Sequence, residues 1–359
     1  MEILLANLPA AVGRVIEPFA GGCALAWRLQ DLPALLNDAS AELMAFYRHV
    51  AEPNEGLHRA LEAIAQDWEA LNEPAQTGLA GLIVAYAADR SPGWVSRLDR
   101  ALHAWSPSLD WSPTLPTLCG ENTRAALRRS VTAKIRRMCA LEERRGQMSG
   151  EDVQANIVGA AKAGYYNALR QRYNALARSP DMTSPEGSAL FFFVREYAYA
   201  SMFRYNARGE FNVPFGGISY ARKSFAGKVQ RLRAPEVVGR LQRASMVCGD
   251  FETFLEGITW RTDDLVFVDP PYDAVFSSYG TSSFGAGDHV RLARSLQRLQ
   301  AKASVMIVVR RSALMESLYP SGQWFVRPYP MAYRWTIKAR NERSTEHLMV
   351  TNYAPGSVP

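Results

Sequence analysis

Metal-binding residue types are scarce in this chain, with four cysteines and five histidines among 359 residues. Cys23, Cys119, Cys139 and Cys248 lie far apart and form no Cys-x-x-Cys. Neither a disulfide framework nor a zinc site is indicated, and the four read as buried thiols. The histidines are equally scattered and read as structural or surface residues, so no metal is expected. Long hydrophobic runs are missing too, and Met1-Glu2-Ile3-Leu4-Leu5 has neither a basic leader nor an extended apolar region. The expectation is a soluble, cytoplasmic protein with no membrane partner. There is no low-complexity tract, and only 21% of residues are charged against 48% apolar. That balance suits a substantial core, and the length suits two domains better than one.

The formal net charge of +6 permits nucleic acid, an anionic surface or nothing in particular. Its distribution says more. Nine basic residues (Arg204, Arg208, Arg222, Lys223, Lys228, Arg231, Arg233, Arg240, Arg243) face two acids (Glu210, Glu236) between Ser201 and Ser245, the local excess that phosphate neutralisation needs. Upstream, Arg124, Arg128, Arg129, Lys134, Arg136 and Arg137 form a basic helix candidate, read as a solvated face in preference to a DNA contact.

The chain is organised around Asp269-Pro270-Pro271-Tyr272, which follows the apolar run Leu265-Val266-Phe267-Val268. Neither proline can donate to a ladder, so the run reads as a buried strand that stops abruptly at its C-terminal end. Open α/β sheets hold their ligands at that end. A proline-stiffened turn is the plain alternative, but the four-letter string should arise by accident in about one chain in a thousand of this size. The residue types suit one chemistry. An exocyclic amine on adenine or cytosine is a poor nucleophile because its lone pair is delocalised. The Asp269 carboxylate and the Pro270 carbonyl can each accept one N–H, favouring a tetrahedral nitrogen aimed at an incoming methyl. Tyr272 offers a flat face for a base drawn out of the duplex.

Nearer the N-terminus, Arg14 to Phe19 is a strand candidate, followed by Gly21-Gly22 and an apolar helix pattern through Cys23-Ala24-Leu25-Ala26-Trp27. A strand, a glycine turn and a helix form a cofactor-binding opening. A second strand, Leu35-Leu36-Asn37-Asp38, ends in an acid about 20 residues later, where a ribose hydroxyl acceptor is expected. Ser245-Met246-Val247-Cys248 is a third strand that delivers Asp250, suited to a cofactor adenine amino group or alternatively a helix N-cap. From about Ala51 to Ala163 the pattern is helical, broken at Ser91-Pro92-Gly93 and from Ser106 to Pro116. Trp94, Trp105 and Trp111 cluster there and read as a local core. Asn206 to Gly209 is a turn between two arms carrying aromatics and arginines, a hairpin able to enter a groove, where an arginine can pair with guanine. Tyr279 to Gly287 reads as a lip over the site, Asp288-His289 opens a helix, and Val305 to Val309 is a further buried strand. Trp324 to Tyr329 and Glu346 to Tyr353 read as two strands closing the sheet as a hairpin.

A strand followed by Asp-Pro-Pro-Tyr resembles the catalytic motif of amino-methyltransferases that act on DNA. Glu17-Pro18-Phe19-Ala20-Gly21-Gly22 resembles the S-adenosylmethionine motif of Dam-like DNA adenine-N6 methyltransferases. Arg204-Tyr205-Asn206-Ala207-Arg208-Gly209-Glu210-Phe211-Asn212-Val213-Pro214-Phe215-Gly216 is close to a signature of that family. The resemblance implies catalytic Asp269, Pro270 and Tyr272. It implies cofactor binding by Glu17, Phe19, Ala20, Gly21, Gly22, Asp38, Asp250 and Asp269. It implies DNA contacts along Tyr199, Arg204, Asn206, Arg208, Asn212 and Pro214, with Arg204 reading a base and Tyr199 helping to hold the flipped state. The segment from roughly Pro74 to Asn156 has no counterpart in the resemblance and reads as an insertion.

The motif order, cofactor turn first and Asp-Pro-Pro-Tyr last, matches the Dam-like arrangement. The expected fold is α/β: a Rossmann-like S-adenosylmethionine-dependent methyltransferase sheet from residues 1–50 and 235–359, with an inserted, mainly helical DNA-recognition domain over 51–234 and a hairpin near 199–220. The expected reaction is methyl transfer from S-adenosylmethionine to adenine N6 in duplex DNA, as in restriction-modification systems. Cytosine N4 methylation, a DNA-binding accessory relative without cofactor binding, and RNA as substrate stay open as alternatives. Three departures stand out. Cys23 occupies a usual glycine position, Val309-Arg310-Arg311 replaces a Ser-Asn pair, and the chain starts after the family's Trp- and Gly-Gly-Lys-containing segment. A second protomer, a partner protein or an upstream start codon is expected to complete the cofactor site.

Overall fold

The fold was described from a computed structural model covering residues 1–74, 79–89, 94–104, 120–177, 179–202, 204–271, 284–332 and 344–356. The chain opens with α1 (Glu2–Leu5), β1 (Arg14–Glu17), β2 (Ala34–Asp38) and α2 (Ala41–Ala51). A helical run follows: α3 (Glu55–Ala70), α4 (Leu79–Asp89), α5 (Trp94–Ala104), α6 (Gly120–Arg145), α7 (Gly150–Leu176), α8 (Pro185–Tyr197), α9 (Ile218–Ala221), α10 (Ala226–Leu232) and α11 (Pro235–Gln242). The last third contains β3 (Ala244–Cys248), α12 (Phe251–Glu256), β4 (Asp264–Val268), α13 (Ala286–Gln297), β5 (Ser304–Arg310), α14 (Ala313–Leu318), β6 (Phe325–Ala332) and β7 (Ser344–Thr351). Two compact units result, one from Met1–Glu52 with Glu236–Pro359, the other from Pro53–Pro235.

The discontinuous unit holds a seven-stranded sheet in the order β3-β2-β1-β4-β5-β7-β6. β3 to β5 run parallel, and β7 is antiparallel to both β5 and β6. The expected α/β sheet and closing hairpin are therefore present. Strands buried on both faces read as continuous apolar runs, and every residue of β4 is buried. Alternate residues divide between two layers. Ile16, Val266, Val268, Val305 and Ile307 pack with Phe251, Phe254, Leu292 and Leu296, whereas Val15, Leu265, Phe267 and Met306 pack with Leu4 and Leu25 on the other face. At the amino ends of the central pair, Arg14 grips the fully buried Asp264 with two bonds of 2.8 and 2.7 Å, fixing the register Arg14↔Asp264.

One element departs from expectation. No helix follows Gly21-Gly22; residues 21–32 form a chain of turns. Side chains take the place of helical self-pairing there. The Glu17 carboxylate accepts the Ala26 N–H at 2.6 Å, and the Arg240 guanidinium donates to the Ala26 and Leu32 carbonyls at 2.7 Å each. Gly21 and Cys23 at positive φ (46° and 52°) further prevent a regular first turn.

The contiguous unit is built along the 27-residue α7. One side of this unit is an aromatic cluster in which Trp68, Tyr165, Tyr166, Phe193, Tyr197 and Phe225 are all buried. Trp68 and Tyr197 share the Lys223 carbonyl, and the buried Lys162 donates to the Ala221 carbonyl at 2.8 Å while lying over the Trp68 ring. Trp94 is buried; Trp105 and Trp111, expected beside it, lie outside the described residues.

Candidate active site

In an open parallel sheet the ligand crevice lies beyond the carboxyl ends of the strands, where the strand order reverses. Here the order reverses between β1 and β4. Glu17, Asp38, Asp250 and Asp269 stand at or just after the carboxyl ends of β1, β2, β3 and β4, so the topology brings all four acids to one edge. Continuing the register Ile16↔Val266 in step places Phe19 level with Asp269.

The turn after β1 is pinned from three directions. The Ala20 N–H donates to the Asn37 carbonyl at 2.7 Å, the Gly21 N–H donates to Asp38 Oδ2 at 3.0 Å, and the Tyr47 hydroxyl donates to the Gly21 carbonyl at 2.6 Å. A Cβ added at Gly21, Gly22 or Gly249 would meet nothing within 4 Å, so open space lies against the backbone at both β1 and β3. Cys23, at the usual glycine position, adopts a φ of 52° that glycine would hold without strain. It is buried, and burial pushes its thiol up to about 12. Phe19 packs edge-on against Phe284 and tilted against Phe251, with ring centroids 5.3 Å apart in each case.

Glu17 is 1% exposed and turned toward the backbone of residues 25 and 26. Burial raises its pKa to about 7, with the carboxylate of Asp269 adding to the rise. The Ala26 and Leu25 N–H groups and the Arg240 guanidinium act in the opposite direction. Asp38 accepts from the Gly21 and Ser40 N–H groups and so shapes both the turn and the entry to α2, whose N-cap is Ser40. Asp250 is an N-cap, accepting from Glu252 N at 3.0 Å, and it also binds Arg291 through Oδ1 at 2.9 Å. The helix N-cap read from the sequence is thus present, and Asp250 Oδ2 has no bond among the described residues.

Asp269 is exposed directly after β4, and Pro270 is buried behind it. The Pro270 carbonyl takes no hydrogen bond from any described residue. Tyr272 and residues 273–283 of the expected loop lie outside the described residues.

Three contributors were not legible from sequence. Asn37, 1% exposed, donates through Nδ2 to the carbonyls of Pro18 and Gly249, both at 3.0 Å, which ties the β1 and β3 ends across β2. Its Oδ1 is buried with no partner among the described residues. Tyr47 and Arg291 are the others, the latter bonded to Asp250, Glu252 and Asp288 while stacking on Phe251. A polar residue inside an apolar strand was the one signal available, and it pointed to Asn37.

In the contiguous unit, Tyr205 and Phe211 form an antiparallel bridge closed by Gly209 at φ 74°. Asn206 is spent on this turn: its Oδ1 accepts from Arg208 N at 2.9 Å and Glu210 N at 3.0 Å, and its Nδ2 donates to Glu210. Asn174 on α7 acts as a substitute strand neighbour, donating to the Phe211 carbonyl and accepting its N–H. Pro214 accepts from Tyr199 N through its carbonyl, and Val213 is held by Tyr166 and Arg170. Tyr199 stays 43% exposed. Arg204 is exposed, with Nε on Asn212 Oδ1 at 3.1 Å and its guanidinium otherwise without a hydrogen bond among the described residues, and Arg208 is exposed as well.

Among the described residues, no three His, Cys, Asp or Glu side chains are grouped to hold a metal, and no helix is long and apolar enough to cross a membrane. Residues 1–76 and 152–333 match the family described as D12 class N6 adenine-specific DNA methyltransferase. The chain is 33% identical over 156 residues to the retron Ec67 DNA adenine methylase of Escherichia coli, covering 43% of this chain and 50% of that protein. It is 30% identical over 166 residues to the type II methyltransferase M.CviBI of Paramecium bursaria Chlorella virus NC1A, covering 45% and 60%. It is 28% identical over 181 residues to the DNA adenine methylase of Escherichia coli K12, covering 48% and 60%. The matched regions thus span about half the length of these relatives, and the insertion read from the sequence coincides with the unmatched residues 77–151.

Proposed function

Because this chain belongs to the D12 class N6 adenine-specific DNA methyltransferases, we propose that it methylates adenine N6 in duplex DNA using S-adenosylmethionine. The observation that supports the reading is that Asp269 and the Pro270 carbonyl, which takes no hydrogen bond from any described residue, follow β4 at the same sheet edge as the glycine turn after β1, at the reversal point of the sheet. The residues fit the cofactor: open space above Gly21, Gly22 and Gly249, two acids on adjacent strand ends, and a buried acceptor on Asn37 without a donor among the described residues. Bound there, the cofactor supplies a methyl group made electrophilic by the sulfonium charge. Asp38 receives ribose hydroxyls, Asp250 Oδ2 receives an adenine amino hydrogen, and Phe19 lines the crevice. Glu17 holds the turn from behind.

In the reaction, Asp269 and the Pro270 carbonyl each accept one N–H of the target amine, so its lone pair is released from the ring and directed at the methyl carbon. As the N–C bond forms, the bond from that carbon to sulfur breaks with its electron pair going to the sulfur, and Asp269 would accept the proton that the amine gives up. Tyr272 stacks on the extruded base. Arg204 reads a base edge with the terminal amino groups that Asn212 leaves uncommitted, Arg208 and Tyr199 contact the duplex, and Asn206, Asn212 and Pro214 keep the hairpin in shape. A second protomer or partner protein completing the cofactor site belongs to this proposal.

The test is to incubate the protein with S-adenosylmethionine and unmethylated duplex DNA, digest to nucleosides and identify the product by mass. N6-methyladenine that disappears with Asp269→Ala is the expected result. N4-methylcytosine, or no methylated nucleoside despite intact DNA binding, would overturn the assignment.

A further inference from the structure

α6 lies wholly within the segment 77–151 that the family match leaves out. It carries eight basic residues against three acids. Its apolar face, including Leu127, Val131, Ile135 and Met138, is buried. At 100° per residue, Arg129, Arg136, Arg137 and Arg144 fall within an arc of about 100° on the opposite side, and all four are exposed.

A merely solvated helix face interleaves the two signs, usually with acids three or four residues from each base. This face does not. The positions three and four residues from these arginines, in either direction, are filled by Ala, Thr, Cys, Leu, Lys, Gln and Met. None of the four has an ion pair among the described residues. Arg128, about 80° outside that arc, shows the contrast: its guanidinium is claimed by Asp99 of α5 through bonds of 2.6 and 3.1 Å. Ala133 and Ala140 sit between the arginines, keeping the surface low enough for a backbone to approach.

From Arg129 to Arg144 the face runs about 22 Å, a length over which a duplex carries about 13 phosphates. Its place relative to the hairpin is fixed within the same unit. Leu127 lies against Gly164 and Lys134 bonds Asn156, so α6 runs antiparallel to α7 and its arginines flank the N-terminal half of that helix. Tyr166, Arg170 and Asn174, which hold the hairpin, belong to the C-terminal half.

We propose that the outward face of α6 binds the phosphate backbone of duplex DNA, independently of sequence and outside the footprint of the 199–216 hairpin. This inference goes beyond methyl transfer and does not require it. Its function is retention: a non-specific grip that keeps the protein on long DNA.

The test uses the whole protein without cofactor and a random-sequence duplex of 40 base pairs, with affinity measured across a salt series. Replacing Arg129, Arg136, Arg137 and Arg144 together by alanine is expected to reduce the slope of log affinity against log salt by up to about 3.6, at about 0.9 per lost phosphate contact. Affinity near 0.1 M salt should fall roughly tenfold or more, while the fourfold lysine variant retains most of both. Circular dichroism checks the fold, and the four single alanine substitutions, each lowering the slope by about 0.9, replace the fourfold variant if it does not fold. Wild-type affinity and slope in the alanine variants would overturn the inference, whatever the methylation assay reports. Loss of methylation in Asp269→Ala with this salt response unchanged would leave both readings standing.

Discussion

Replacing Glu17 by glutamine should remove a pH dependence from the stability of the sheet. The buried carboxyl titrates near 7, against 4.5 for an ordinary glutamate. Between those values the folded chain keeps a proton that the unfolded chain has released. The stabilising effect is therefore complete below pH 4.5 and is lost as pH rises through 7. The gap between an ordinary glutamate and this one corresponds to roughly 3 kcal/mol. Glutamine keeps an acceptor for the Ala26 N–H and cannot ionise, so relative to wild type the variant should gain about that amount between pH 4 and pH 8.5. Hydrogen exchange of the β1 and β4 amides is the suitable assay, because it reports the opening of this sheet without requiring both units to unfold together. A wild-type-to-variant difference that stays constant over that pH range would refute the reasoning.

Asn37→Ala would leave the Pro18 and Gly249 carbonyls without their shared donor; the expected loss is about 2 kcal/mol of stability, with weaker cofactor binding by calorimetry and unchanged affinity for DNA. Asn174→Ala removes both bonds to Phe211 that stand in for a strand neighbour, so duplex affinity should fall while cofactor affinity holds. Gly164→Ala would bring a Cβ within 2.6 Å of the Leu127 backbone; a lower melting temperature of the helical unit, by several degrees, is expected from calorimetry.

The sheet was legible because its central strands are buried on both faces and read as apolar runs that end abruptly. The Asp269-Pro270 stop after β4 was the clearest of these. The hairpin turn was legible for a related reason, since Asn206 and Gly209 are the residue types that such a turn demands. What sequence could not show was cooperation across distance. Asn37 reaches Gly249 over 212 positions and Arg240 reaches Ala26 over 214. Those bonds replaced the helix that local patterning suggested after Gly22. The same limit applied to Asp250, whose bond to Arg291 lies 41 residues away, and to α6, where sequence alone favoured a solvated face. Only with Arg128 paired, and Arg129, Arg136, Arg137 and Arg144 without an ion pair among the described residues, does the asymmetry of that helix become visible.

The interruption of the sheet by residues 53–235 also constrains the order in which the protein can assemble. β1 meets β4 through Arg14↔Asp264, a separation of 250 residues, whereas the helical unit is one contiguous stretch, Pro53–Pro235. As the chain emerges from the ribosome at about 5–20 residues per second, the helical unit can complete its fold while the first fifty residues still lack β3, β4 and β5. Once folded, it stands in place of a long flexible loop between the sheet's two segments, lowering the closure entropy that parallel strands so distant in sequence would otherwise face. Destabilising the helices should therefore slow formation of the sheet even where no helical residue touches it.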